Sequence, residues 1–187
     1  MRTFIAIELS DAIKDSLTQI QSHLKYSGSD VKWINKENIH LTLKFLGEID
    51  EKKCEQVKSI LDGIAKTMKP FDISLKETGA FPTIDFPRVI WVGLNKGAKE
   101  STELANKINA ELSTQIGFNI EARAFTAHLT IGRVRSGKNK VALKEKVLGI
   151  GDQVSGTEKI NSVILFQSTL TPTGPVYTKL HEAKFTQ

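Results

Sequence analysis

Asn38-Ile39-His40-Leu41-Thr42-Leu43-Lys44-Phe45-Leu46-Gly47 and Phe125-Thr126-Ala127-His128-Leu129-Thr130-Ile131-Gly132-Arg133 share one pattern: a histidine, an apolar residue, a threonine and a second apolar residue. Residues two apart in a strand lie on one face. His40 and Thr42 would therefore point one way while Leu41 and Leu43 enter a core. His128 and Thr130 would do the same beside Leu129 and Ile131. Each half of the chain thus offers an imidazole next to a hydroxyl on a rigid platform. Imidazole titrates near neutrality and can give or take a proton, and a threonine hydroxyl can donate to a phosphate oxygen. The pairing suits phosphoryl chemistry, with one histidine near an attacking water and the other near a leaving oxygen.

A histidine bonded to a threonine inside a core is the ordinary structural explanation of one such motif. Two matched copies with apolar flanks have a chance of roughly 0.001, and both other histidines, His23 and His181, stand outside the pattern. The copies lie 88 residues apart (128 − 40), close to half the chain.

Working outward, residues 2–9 form a β-type run, and Ser10 is an N-cap for a helix over 11–25. Residues 31–34 are extended and 40–46 form a strand. Asp50 opens a helical stretch to 68, with Cys54, Val57, Ile60, Leu61 and Ile64 at helical spacing. Strands over 71–75 and 88–94, a helix over 98–115, and strands over 118–122 and 128–134 follow. A basic helix over 138–148 and strands over 160–169 and 176–184 complete the chain. A pseudo-duplicated α/β fold with a site between two halves fits this order, though periodicity does not establish it.

At 187 residues, 40% hydrophobic and 25% charged, the chain has the proportions of one globular domain or two small lobes sharing a core. No apolar run approaches the roughly 18 residues of a membrane span, and Glu8 comes too early for a signal-peptide core. Cys54, the single cysteine, excludes an internal disulfide and a cysteine metal cluster, which points to the cytoplasm. A net charge of +5 suits a polyanionic partner.

Three other signals compete. Gly132 to Asn139 nearly spells a phosphate-binding P-loop, but Asn139 stands where a Ser or Thr should hold Mg²⁺ and the stretch overlaps the strand of His128. Arg133, Arg135, Lys138, Lys140, Lys144 and Lys146 could track an RNA backbone or form a solvated face. Strand alternation aims Phe45 into the core, and Trp33 and Trp91 read as core. Neither motif has metal-site spacing, and no G-x-S-x-G elbow supports a serine hydrolase.

The paired motifs resemble those of the two-histidine (2H) phosphoesterases, in particular the bacterial and archaeal RNA 2′,3′-cyclic phosphodiesterases, also called 2′-5′ RNA ligases. The likeness extends to Arg2-Thr3-Phe4-Ile5-Ala6-Ile7, Trp33, Pro87-Arg88-Val89-Ile90-Trp91-Val92-Gly93 and Gly174-Pro175-Val176-Tyr177. Ala127 departs from it, standing where that group usually has proline.

The resemblance implies a mixed α+β fold of residues 1–187 as one two-lobed domain. It would be pseudo-twofold symmetric, with mainly antiparallel sheets flanking a central groove. It implies His40 as proton donor, His128 as proton acceptor, and Thr42, Thr130 and Arg133 holding the phosphate, with no metal and no cofactor. Phe45 and Tyr177 become base or sugar contacts, a reading that competes with core packing for Phe45. The expected activity is metal-independent hydrolysis of a 2′,3′-cyclic phosphate to a 2′-phosphomonoester, on tRNA-like fragments or short oligonucleotides. The expected protein is a cytoplasmic monomer without membrane attachment. The alternatives are action on another cyclic nucleotide or a 2′-5′ linkage, reverse ligation included, and a non-catalytic RNA-binding module.

Overall fold

The computed structural model describes residues 1–121, 123–151 and 154–186. In chain order its elements are β1 (Arg2–Ile7), α1 (Asp11–Lys25), β2 (Val31–Trp33), a 3₁₀ turn (Lys36–Asn38), β3 (Leu41–Glu48), α2 (Glu51–Ala65) and β4 (Phe71–Pro82). After these come β5 (Pro87–Leu94), α3 (Ala98–Ile116), β6 (His128–Val134), α4 (Lys140–Gly149), β7 (Thr157–Ile160), β8 (Ser162–Thr171) and β9 (Gly174–Lys184).

The first two helices start where side chains can satisfy their free amides. Ser10 Oγ accepts from the amide of Ile13, and Asp50 accepts from that of Lys53. Ile13, Leu17, Ile20 and Leu24 of α1, and Val57, Ile60, Leu61 and Ile64 of α2, give each helix one buried stripe. The stripes meet in a core shared with Ile5, Ile7 and Leu41 from one sheet and Ile90, Val92, Leu129 and Ile131 from the other.

The two sheets run β3-β1-β8-β9 and β2-β6-β5-β4-β7, and the neighbouring strands pair antiparallel. This order carries the pseudo-symmetry. The first half reads β1, α1, β3, α2, β4, and the second reads β5, α3, β6, α4, β8. In each half the motif strand pairs with that half's opening strand, β3 with β1 and β6 with β5. The closing strand crosses over: β4 joins β5, and β8 joins β1. Neither sheet is complete without a strand from the other half.

Three sequence expectations change. Residues 71–75 are only the start of β4, which runs to Pro82. Its second part, rich in residues of poor strand propensity, is held by pairing with β5, where Gly79 makes room for the Trp91 indole. A Cβ at Gly79 would lie 2.3 Å from that ring. The run 160–169 divides at Asn161 because β7 pairs with β4 and β8 with β1, in different sheets. Residues 118–121 form no strand, and Ala122 lies outside the described residues. Their polar groups are engaged elsewhere: Lys44 Nζ donates to the Asn119 carbonyl, and the Glu121 amide donates to Asn109 Oδ1.

Candidate active site

His40 precedes β3 and His128 opens β6, and these strands lie against each other with Leu41 and Leu129 in the same core. The two imidazoles are held alike. His40 Nδ1 is 2.7 Å from the Asn38 carbonyl and His128 Nδ1 is 2.7 Å from the Thr126 carbonyl. A carbonyl only accepts, so each Nδ1 carries the proton. Each Nε2 is then left to gain or lose one. Ala127 does not disturb this geometry.

Aromatic rings fix both imidazoles further. Phe4 of β1 stacks on His40 at 4.8 Å, and Tyr177 of β9 meets the same ring edge-on at 5.3 Å. Phe81 of β4 meets His128 edge-on at 5.0 Å. Sequence reasoning missed Phe4 and Phe81, which reach the histidines only through sheet pairing.

Each motif strand carries a bulge at the same place. Against β1, Thr42 pairs with Ala6 and Lys44 with Ile5, leaving Leu43 unmatched. Against β5, Thr130 pairs with Trp91 and Gly132 with Ile90, leaving Ile131 unmatched. A bulge places two consecutive side chains on one face and resets the alternation beyond it. Leu43 and Lys44 are both buried, as are Ile131 and Gly132, and the next residue in each strand, Phe45 or Arg133, is exposed on the histidine side. Phe45 is therefore not core. It is 65% exposed, with its ring 6.1 Å from that of Phe4.

Thr42 and Thr130 are half-buried beside their histidines, as alternation predicts. Tyr177 is also half-buried and packs on Phe4 at 4.9 Å, over the small cluster of Phe4, Ala6, Ile164 and Phe166. Burial raises its phenol pKa, while the charges of Arg133 and Arg2 pull it down. Arg133, from the second sheet, thus acts electrostatically on a ring of the first. Lys32 of β2 pairs directly with Arg133, and both are exposed. Like charges face to face across a ladder are unfavourable, so this edge of the site favours an anion.

His40 is lowered to about 4, first by burial and then by the charge of Lys14, with the bond to Asn38 opposing. In the free protein the ring is neutral at neutral pH. An anion beside it would raise its affinity for a proton.

The basic stretch does not form one surface. Leu143 and Val147 seat α4 in the core with Val92 and Leu129, on the face opposite His128. There Lys144 pairs with Asp85 at 2.6 Å and Lys140 lies over Phe86. Of the stretch, Arg133 has its charge felt at a residue of the groove, Tyr177. The P-loop reading also fails, because residues 132–134 are paired strand backbone. Gly132 is small because a Cβ there would lie 2.8 Å from Val31. Trp33 packs over Gly132 and the core, whereas Trp91 shares the site face with Thr130 and is not core. His181 pairs with Asp62, away from the site, and His23 lies in the last turn of α1. Among the described residues, no group of three or more His, Cys, Asp or Glu could hold a metal, and no helix is long and apolar enough to cross a membrane.

Two pseudo-symmetric lobes each present a carbonyl-bound histidine beside a threonine, and proteins similar to this chain are phosphoesterases. The family model described as LigT like Phosphoesterase matches residues 7–91. RNA 2′,3′-cyclic phosphodiesterases of Archaeoglobus fulgidus and Methanocaldococcus jannaschii are 39% and 38% identical, covering 96% and 97% of this chain and 98% and 99% of their own. A solved protein of Thermus thermophilus matches with a TM-score of 0.82 at 25% identity, covering 99% of this chain and 98% of that one. E. coli LigT complexed with 3′-AMP shares the fold, with a TM-score of 0.76 at 21% identity, covering 100% of this chain and 98% of that one. The chain belongs to the LigT-like phosphoesterase family.

Proposed function

We propose that this protein opens the 2′,3′-cyclic phosphate at an RNA end by metal-independent general acid–base catalysis and leaves a 2′-phosphomonoester. The observation that carries this reading is the matched anchoring of His40 and His128, which leaves both Nε2 atoms for proton transfer. The names of the archaeal relatives support the substrate class.

In this mechanism His128 Nε2 takes a proton from water as its oxygen bonds to phosphorus. The bond from phosphorus to the 3′-oxygen breaks, and His40 Nε2–H protonates that oxygen. The family resemblance gives the order of acid and base; the geometry around the two rings is alike. Thr42, Thr130 and Arg133 hold the phosphate oxygens, and Phe45 and Tyr177 contact the sugar or base. The low proton affinity of His40 in the empty site fits a donor loaded only when the anionic phosphate arrives. The chain acts as a single two-lobed domain, and as a cytoplasmic monomer on short RNA ends.

The test is incubation with an oligonucleotide ending in a 2′,3′-cyclic phosphate. The wild type should release a monoester, and His40→Ala and His128→Ala should each slow turnover by roughly 10²–10⁴-fold with an intact fold. An RNA-binding module would instead show no turnover and normal RNA binding in both variants. Turnover confined to another cyclic nucleotide or to a 2′-5′ linkage would reassign the substrate.

A further inference from the structure

We infer that the cleft beside His40 holds the terminal nucleoside and that Lys14 recognises a phosphate on that nucleoside's 5′-oxygen. The inference rests on the acid–base reading above. In-line displacement puts water and the departing oxygen on opposite sides of phosphorus. With water at His128, the ribose that bears the leaving oxygen lies on the side of His40.

A cleft of about 360 Å³ opens on that side, between the 3₁₀ turn, the start of α1 and the hairpin of β8 and β9. Small-molecule sites span about 300–1,000 Å³, so the cleft suits one nucleoside and not a run of them. Phe166 and Tyr177 offer aromatic surface, and Asn35 and Glu37 offer polar groups. Any further RNA must leave through the 5′-oxygen.

Four charged side chains line the cleft: Glu8, Lys14, Glu37 and Lys179. Glu8 and Lys179 are bonded to each other. Glu37 is acceptor-only and suits a ribose hydroxyl or a base N–H. Lys14 is half-buried and makes no ion pair among the described residues. Its charge reaches His40, where it opposes protonation. An unpaired ammonium beside a general acid works against catalysis unless an anion joins it. The substrate carries one such anion within a ribose's length of the cyclic phosphate, at the 5′-oxygen. A phosphate there would pair with Lys14 and offset the charge that, after burial, opposes protonation of His40.

The experiment compares kcat/KM for three substrates of one base: a nucleoside 2′,3′-cyclic phosphate with a free 5′-hydroxyl, the same compound with a 5′-phosphate, and a dinucleotide with the internucleotide phosphate at that oxygen. The wild type should favour the two phosphate-bearing substrates by roughly tenfold or more. In Lys14→Gln and Lys14→Met that preference should collapse, and Lys14→Arg should keep most of it. Comparing substrates within one variant cancels any loss of folded protein. A gain confined to the dinucleotide still supports the inference if Lys14→Gln abolishes it. No preference in the wild type, or a preference that survives in Lys14→Gln, overturns it. A wild type that turns over none of the three would instead overturn the acid–base reading beneath it.

Discussion

Phe45 and Arg133 are structural counterparts: each is the fifth residue after a motif histidine, and each reaches the histidine side because a bulge at Leu43 or Ile131 resets its strand. The two lobes thus present different chemistry from one backbone device. One offers an exposed aromatic ring and the other a guanidinium, which suits a ligand with a flat face on one side and negative charge on the other.

Phe45→Ala should therefore behave as a binding variant and not a folding variant. A 65% exposed ring loses little burial on truncation, so the free energy of unfolding should change by no more than about 0.5 kcal/mol. If the ring stacks on a base, kcat/KM should fall by roughly tenfold or more, and Phe45→Tyr should restore most of it. A normal kcat/KM in Phe45→Ala would remove this contact from the site.

Much of the frame was legible in the residues. Ser10 and Asp50 marked helix starts, and strict alternation placed β6 at His128 to Val134. The histidine and threonine pairs were legible for the same reason, since they precede the bulges. Beyond Leu43 the period of two aimed Phe45 at the core. A bulge depends on how the neighbouring strand pairs, and nothing local marks it. The crossing of β4 and β8 was hidden likewise, because local pattern says where strands are and not which partners they take. The basic stretch looked continuous, yet strand β6 and helix α4 place its residues on opposite faces of a sheet.

Lys44 is the counterpart of Gly132 and is itself buried, with 4% exposure. Its Nζ donates to Asn109 Oδ1 at 2.6 Å, to the Asn119 carbonyl at 3.3 Å and to Glu121 at 3.4 Å. It ties β3 to α3 and to residues 119–121. Lys44→Met would take its donor from the Asn119 carbonyl and leave Asn109 Oδ1 only the Glu121 amide among those bonds, so stability should fall by about 1–3 kcal/mol in urea unfolding. Amides of residues 118–121 should also exchange faster. An unchanged midpoint would show that the tie contributes little.

The neutral state of His40 has a stability consequence. An unfolded histidine takes its proton near 6.5, whereas His40 takes it near about 4. Between those values the unfolded chain binds more protons, so His40's contribution raises stability with pH across the window and levels off above it. The size is on the order of 3 kcal/mol. Wild type should therefore lose more stability than His40→Gln between about pH 7.5 and about pH 4.5. Equal losses would mean that the folded ring titrates normally.

Treatment with EDTA should leave turnover unchanged, because imidazoles, hydroxyls and a guanidinium supply every role assigned to the groove. A loss restored by Mn²⁺ or Zn²⁺ would sink the proposed mechanism.

The most demanding prediction is regiochemical. A 2′,3′-cyclic phosphate can open by losing either ribose oxygen, and the products differ only in where the phosphate remains. Both imidazoles are pinned, His40 by Asn38 and Phe4 and His128 by Thr126 and Phe81. A fixed acid and base with in-line attack should permit one opening and exclude the other. With His128 on water and His40 on the 3′-oxygen, the RNA should end in a 2′-phosphate. Arg133→Ala should slow the reaction without changing the product, because it removes charge stabilisation and moves neither imidazole. Separating 2′- and 3′-phosphorylated products of a defined oligonucleotide decides the matter. A predominantly 3′-phosphate product would reverse the assigned orientation even with both histidines essential, and a mixture would mean that the pinned rings do not fix the approach of the ribose.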